Sequence, residues 1–192
     1  VLKEGLFSSD QIYVSDPIAD RRKYLTDTYG VNCLKDNIDI LGKKGKILLA
    51  VKPQTLPEVF KDLKGKISPG RPVISIVAGS NSSDLSKGLE HRQIIRVMPN
   101  TPSQIGKGML VWTSTDEVKS TDIEEIASIL NTLGEEYYVH DEKYIDMATA
   151  LSASGPAYVF LFIQSLIDSG VYLGMPRDMA RHLVLQTVLG ST

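Results

Sequence analysis

Three short stretches of this chain set polar or very small residues where a ligand could be held. The run Leu48–Gln54 (LLAVKPQ) is apolar until Lys52 and Pro53 break it. Open α/β sheets bind ligands at the carboxyl ends of their strands, which makes Ala50, Val51, Lys52 and Pro53 candidate lining residues. The plainer reading of Lys52 is a solvated lysine on a loop. Arg96–Pro102 (RVMPNTP) ends in the same manner, with two prolines fixing the backbone around Asn100 and Thr101. Those two side chains could hydrogen-bond a ligand or only their own turn. The third stretch, Ala150–Phe162 (ALSASGPAYVFLF), runs small residues straight into the apolar Ala157–Ile163. Gly155 before Pro156 is a natural helix start, and Ser154 could accept from a free first-turn N–H. That accounts for Ser154, Gly155 and Pro156, but not for the smallness of Ser152 and Ala153. A helix N-terminus without bulky side chains also admits a flat ring or a carboxylate.

A fourth candidate, Ser15, follows the short run Gln11–Val14 (QIYV). An acidic residue at such a tip holds the 2′-hydroxyl of NAD, whereas a small polar residue with arginines nearby admits the 2′-phosphate of NADP. Ser15 with Arg21 and Arg22 favours the phosphate, and Asp16 pulls the other way. His91, His140 and His182 stand apart, with no companion at triad or ligand spacing, and read as surface or packing residues. Glu135–Glu136 and Asp141–Glu142 read as solvated. With no nucleophile–base pair in view, hydrolysis is not indicated.

Regular elements must place these residues. Strand patterns at 11–14, 31–34, 46–51, 72–77, 94–98, 109–112 and 136–139 alternate with helical patterns at 20–29, 55–63, 83–89 and 121–133. The alternation predicts an α/β fold with a doubly wound, mostly parallel sheet of Rossmann type. The unbroken run KILLAV predicts a strand buried on both faces. After His140 only helical patterns remain, at 144–152, 156–173 and 176–189, with Gly174 and Pro176 between the last two. The chain therefore divides into a dinucleotide-binding domain, 1–142, and an all-helical domain, 143–192. Both ends read as cut short. Residues 1–5 look like the last turns of a helix stopped by Gly5, so a first strand and its glycine-rich turn are expected upstream. Gly190–Thr192 leaves a long helix without a closing element.

Composition narrows the function classes. The 192 residues carry 42% hydrophobic and 23% charged residues, with 21 basic and 23 acidic side chains and a net charge of −2. The charges form no long blocks, which argues against nucleic-acid binding, and no basic helix suggests a membrane surface. The longest uninterrupted apolar run, Ala157–Ile163, is far shorter than a membrane span, and no signal peptide is evident at Val1. Cys33 is the single cysteine, without metal-ligand neighbours, and fits a reduced, cytoplasmic setting. No metal site is expected.

Taken in order, AVKP, RVMPNTP, ALSASGPAYVF, GMPRD and QTVLG resemble the pyrroline-5-carboxylate reductase family, and the similarity runs over essentially the whole chain. The resemblance implies a Rossmann domain followed by a helical domain that interlocks in a homodimer, with further assembly open. It implies reduction of 1-pyrroline-5-carboxylate to L-proline with NADPH, NADH being the alternative. Carried over residue by residue, Ser15 and Asn37 match positions near the adenosine ribose or its phosphate, and Ala50, Val51, Lys52 and Pro53 line the cofactor. Asn100 and Thr101 fall near the nicotinamide. Ser152, Ser154 and Gly155 border the substrate. No catalytic proton donor is assigned. Ala153 stands where the family has glycine, which matters if that position needs a positive φ. The family's cofactor loop would precede Val1, and its segment gripping the substrate carboxylate would follow Thr192. A protonated cyclic imine accepts hydride without a strong acid, so positioning is the main demand on the protein. Two other readings remain: a β-hydroxy-acid dehydrogenase of the same plan, against which the lack of lysine from Tyr144 to Thr192 counts, and a non-catalytic dimer-forming relative.

Overall fold

A computed structural model describes residues 2–191, so what was read at Val1 and Thr192 lies outside the described residues. Residues 2–5 close a turn in which the Gly5 N–H meets the Leu2 carbonyl at 3.0 Å. Strand β1 (Tyr13–Ser15), helix α1 (Ala19–Tyr29) and strand β2 (Asn32–Leu34) form a small parallel unit. Gly30 ends α1 with φ of 67°, a left-handed conformation that glycine adopts at little steric cost.

A second sheet has the order β3-β4-β5-β6-β7. Strands β3 (Ile47–Leu49), β4 (Val73–Ser75) and β5 (Ile94–Met98) run parallel. Helices α2 (Leu56–Leu63) and α3 (Ser82–Leu89) form the crossovers between them. Strand β6 (Gly108–Ser114) turns back antiparallel to β5. The link between them, residues 99–107, is too short for a parallel crossover, which takes about a dozen residues. Helix α4 (Ser120–Asn131) then returns the chain to β7 (Gly134–Tyr138), parallel to β6. The sheet is thus mostly parallel with one antiparallel pair.

Apolar layers cover both faces. Leu56, Val59, Leu63, Leu85 and Leu89 of α2 and α3 pack with Ile47, Leu49, Val73 and Ile94. Ile126 and Leu130 of α4 pack with Ile74, Ile95, Val97, Leu110 and Trp112. The expectation that KILLAV is buried on both faces does not hold. Leu48 is 56% exposed between buried Ile47 and Leu49, because β3 is an edge strand and the α4 layer does not reach over it.

From β7 the chain runs back along the sheet in α5 (Lys143–Ala148), where Ile145 joins Met98, Val111 and Val139 in a third cluster. A wide turn of π-helix type, Thr149–Ala153, follows, its Ser154 N–H reaching the Thr149 carbonyl at 2.9 Å. Helices α6 (Gly155–Tyr172) and α7 (Arg177–Leu189) make a hairpin. They approach closely at Gly170, where a Cβ would lie 2.9 Å from that of Ala180. In α6 only Ile167 is buried, while Tyr158, Phe160, Leu161 and Phe162 are each more than half exposed. The stretch Lys143–Tyr172 contains an 18-residue window long and apolar enough to cross a membrane by length and composition alone. The short uninterrupted run in the sequence concealed this, since scattered serines, glycines and a glutamine lower the hydropathy of such a window only modestly.

Candidate functional site

The predicted residues fall at strand tips and at one cleft. At the tip of β1, the Ser15 hydroxyl donates to Asn37 Oδ1 at 2.9 Å, and Asn37 Nδ2 donates to Asp62 Oδ2 on α2 at 2.9 Å. This chain of bonds also ties the small β1–β2 unit to a helix of the larger sheet. Asp16 turns its carboxylate back onto the Ile18 N–H at 2.8 Å, which accounts for an acidic residue at this tip by local turn chemistry. Arg22 Nη1 donates to the Asp16 carbonyl at 2.7 Å, and Arg21 lies over the Tyr24 ring. At the end of β3, Ala50, Lys52 and Pro53 are exposed and Val51 half-buried against the core. Lys52 has extended backbone and leads a 3₁₀ turn, Pro53–Thr55, that Pro53 favours by its fixed φ.

The cleft, of about 360 Å³, is lined by Asn100, Pro102, Leu151, Ser152, Gly155, Pro156, Val159 and Phe160. Asn100, Ser152 and Gly155 therefore meet in one mainly apolar site. Thr101 and Ser154 are adjacent but do not line it, and Ser15, Asn37 and Ala50–Pro53 belong elsewhere. The Asn100 carboxamide is committed on both sides. Its Oδ1 accepts from the Met109 N–H at 2.9 Å, and its Nδ2 donates to the Ser152 carbonyl at 3.2 Å. The Ser152 hydroxyl donates to the Ala148 carbonyl at 3.1 Å and keeps its lone pairs free.

The capping role expected of Ser154 is not observed. Its side chain makes no cap bond and its backbone is already helical, because the π turn runs into α6 without an extended residue between them. A Cβ on Gly155 would meet nothing within 4 Å. Nothing in the chain itself demands a glycine there, and the bare backbone opens onto the cleft. Ala153 carries no strain, since Glu90 is the single non-glycine residue with positive φ among the described residues.

Sequence reasoning missed an ion cluster between β5 and the start of α5. Arg96, 3% exposed in β5, donates to Glu142 Oε1 and to Asp146 Oδ1, each at 2.8 Å. Glu142 also accepts from the backbone N–H and the hydroxyl of Ser82. The expected solvation of Asp141–Glu142 thus fails at Glu142, because a buried guanidinium needs a counter-charge. Glu136 is likewise no free surface charge, since it accepts from the Trp112 indole N–H. An arginine inside the apolar run IIRVM was the available signal for the cluster. His91 is a packing histidine, buried and bonded to the Arg71 carbonyl at 2.8 Å.

A larger cavity of about 510 Å³ opens at the other end of β3 and β4. Its main cations are already engaged. Lys46 pairs with Asp122 and Glu125, and Arg71 with the carbonyls of Ile40, Leu41 and Gly45. Burial opposes the Lys46 charge, but those carboxylates outweigh it and hold its pKa above the ordinary value, while burial pushes that of Arg71 down. No group of three or more acidic, histidine or cysteine side chains suited to a metal occurs among the described residues.

Comparison with known proteins places this geometry in context. A family described as pyrroline-5-carboxylate reductase dimerisation matches residues 142–192, and one described as NADP oxidoreductase coenzyme F420-dependent matches residues 1–79. The chain is 40% identical over 192 residues to the pyrroline-5-carboxylate reductase of Synechocystis, covering 100% of this chain and 71% of that one. It is 33% identical to the Escherichia coli enzyme of the same name, with the same coverage. Among solved structures, the pyrroline-5-carboxylate reductase of Coxiella burnetii superposes with a TM-score of 0.90 at 31% identity, over 98% of this chain and 71% of that one. The Plasmodium falciparum pyrroline carboxylate reductase, solved with NADP bound, gives 0.87 at 34% identity, over 98% and 69%. A prephenate dehydrogenase of Aquifex aeolicus shares the fold alone, at 16% identity.

Proposed function

The chain belongs to the pyrroline-5-carboxylate reductase family, and on that premise we propose that it reduces 1-pyrroline-5-carboxylate to L-proline with NAD(P)H, the last step of proline synthesis. The likeness to the Synechocystis enzyme over every residue of this chain carries the reading. The residues present suit a dinucleotide. A hydroxyl, a carboxamide and the guanidinium of Arg22 gather at the β1 tip, and an exposed strand end at Ala50–Pro53 leaves the backbone open to approach. When bound, NAD(P)H supplies the hydride for the imine carbon, and the ring nitrogen keeps its proton.

In this reading Ser15 and Asn37 hold the adenosine ribose end, Ala50, Val51, Lys52 and Pro53 line the cofactor, and Asn100 and Thr101 border the nicotinamide. Ser152, Ser154 and Gly155 border the substrate, whose flat ring fits the space beside the bare Gly155 backbone. Leu151, Pro156, Val159 and Phe160 keep water from that ring. Asn100 joins the two sides of the cleft, which suits a reaction that depends on orientation more than on acid–base chemistry.

The chain divides at 142/143 into a cofactor domain and a helical dimerisation domain, a division supported by the family match beginning at residue 142. A second copy covers the exposed face of α6, which is why Lys143–Tyr172 is apolar without lying in a bilayer. The protein works in the cytoplasm, as a homodimer or an assembly of dimers.

The test is oxidation of NADPH and NADH dependent on pyrroline-5-carboxylate, run on this chain and on the chain extended to the length of its Synechocystis relative. Imine-dependent turnover is expected in the extended protein. A folded, dimeric, extended protein that binds nucleotide but leaves the imine untouched would overturn the reading.

A further inference from the structure

Asp62 is absent from every role assigned so far, yet it fixes the polarity of the β1 tip. A carboxylate only accepts hydrogen bonds, so the side chain of Asn37, 2.9 Å from Asp62 Oδ2, must turn its Nδ2 towards it. That leaves Asn37 Oδ1 facing Ser15, and the Ser15 hydroxyl spends its one hydrogen on it at 2.9 Å. The orientation of each group follows from the one before it, starting from the charge on α2. Towards the open side of the site, Ser15 then offers lone pairs and no hydrogen.

We infer that Asp62 is a specificity-determining residue: through Asn37 it commits the Ser15 proton, so that Ser15 accepts from a ribose 2′-hydroxyl and gives nothing to a 2′-phosphate. The inference rests on the placement of the adenosine ribose at Ser15 and Asn37. A 2′-hydroxyl can donate to such an oxygen, whereas a phosphate dianion brings only acceptors and meets lone pairs. The guanidinium of Arg22, anchored on the Asp16 carbonyl, works in the opposite direction by attracting the phosphate. The cofactor preference of the chain is the balance of the two, and Asp62 is the weight on the side of the unphosphorylated ribose.

The experiment needs no turnover. Dissociation constants are measured for 5′-AMP and for adenosine 2′,5′-bisphosphate, which differ only in the 2′-phosphate. The proteins are the wild-type chain extended to the length of its Synechocystis relative and, in that background, Asp62→Asn, Ser15→Ala and the double variant, each checked for native circular dichroism. Asp62→Asn keeps the shape but lets the Asn37 amide turn over and release the Ser15 hydrogen. It should move the affinity ratio towards the bisphosphate by tenfold or more. Ser15→Ala should weaken 5′-AMP and leave the bisphosphate unchanged. In the Ser15→Ala background, Asp62→Asn should move the ratio less than twofold.

A tenfold shift that persists without Ser15 would show a plain charge effect of Asp62 and overturn the inference. So would an unchanged ratio in folded Asp62→Asn. Should Asp62→Asn not fold, Ser15→Ala decides alone, and equal weakening of both ligands counts against it. If the wild type bound neither ligand, the placement of the nucleotide site itself would fail, which is a separate outcome from a wrong polarity.

Discussion

The sheet body and the α6–α7 hairpin spend their apolar residues in opposite ways. In β5 every residue is buried, and the clusters on the two faces of the sheet close around it. In α6, nearly as apolar a sequence leaves Tyr158, Phe160, Leu161 and Phe162 more than half exposed, with Ile167 alone buried. A sheet flanked by helices satisfies itself. A helix that exposes this much apolar surface needs other surfaces to cover it, and one antiparallel neighbour does not supply them. The contrast teaches that the first region encodes a fold and the second encodes an assembly.

The strongest way to break that contrast is to charge the hairpin. Phe160→Asp should dissociate the dimer, since a buried interfacial aromatic contributes on the order of 2–4 kcal/mol and the carboxylate adds a desolvation cost. Sedimentation should show a shift to monomer at micromolar concentration, with the circular dichroism of the sheet intact. A dimer that survives would move the partner surface to another face.

Next in size is a change within the sheet that should spare the hairpin. Arg96→Met removes the guanidinium held by Glu142 and Asp146 and leaves Glu142 with only the Ser82 donors. The carboxylates left behind are partly exposed at Glu142 and mostly exposed at Asp146, so they rehydrate. Losing the buried hydrogen bonds costs about 1–3 kcal/mol, or about 5 °C in a chain of this size. Thermal unfolding should show that loss, while dimerisation changes little. Equal damage to both would mean that the sheet and the hairpin are not separable.

How much the sequence revealed follows the same line. The alternation of β-branched runs with amphipathic helices was legible because burial on a sheet repeats with a fixed period, and Ile94–Met98 was found to the residue. What could not be read depended on contacts far apart in the chain. Asp62 meets Asn37 and Arg96 meets Asp146 only after folding, so neither partner is implied by its own neighbourhood. The π turn was hidden for another reason: Thr149–Ala153 has ordinary helical composition, and only the closure from Ser154 to Thr149 distinguishes it. At the cleft, the small residues pointed to the place. They did not show that Asn100 would be tied at both ends.

A smaller effect separates folding from function at the join of the two regions. Gly155 has no positive φ and open space where a Cβ would stand. Gly155→Ala should therefore stabilise the start of α6 by about 0.4–1 kcal/mol, through the unfolded chain. The same methyl group would project into the cleft and weaken the substrate. A raised melting temperature together with a raised KM is the expected pair, and a raised melting temperature with unchanged KM would move the substrate away from Gly155.

The smallest effect lies on the hairpin surface. The Gln164 amide, bonded to both oxygens of Asp168, and Arg177 beside it hold the Asp168 carboxyl below its ordinary value, with desolvation opposing. A carboxylate depressed on folding binds fewer protons in the folded state than in the unfolded one as the pH drops. Its contribution is therefore complete above the unfolded pKa, about 3.9, and fades as the pH falls through the lower folded value. The group is fully exposed, so the contribution is slight and screened by salt. Asp168→Asn should lower the melting temperature a little at pH 6, and the difference from wild type should shrink towards pH 3 and in high salt. Were the difference instead to grow on acidification, the folded pKa of Asp168 would lie above its unfolded value, as burial or a second carboxylate across the dimer would cause. The hairpin surface would then belong to the assembly even at its polar edge.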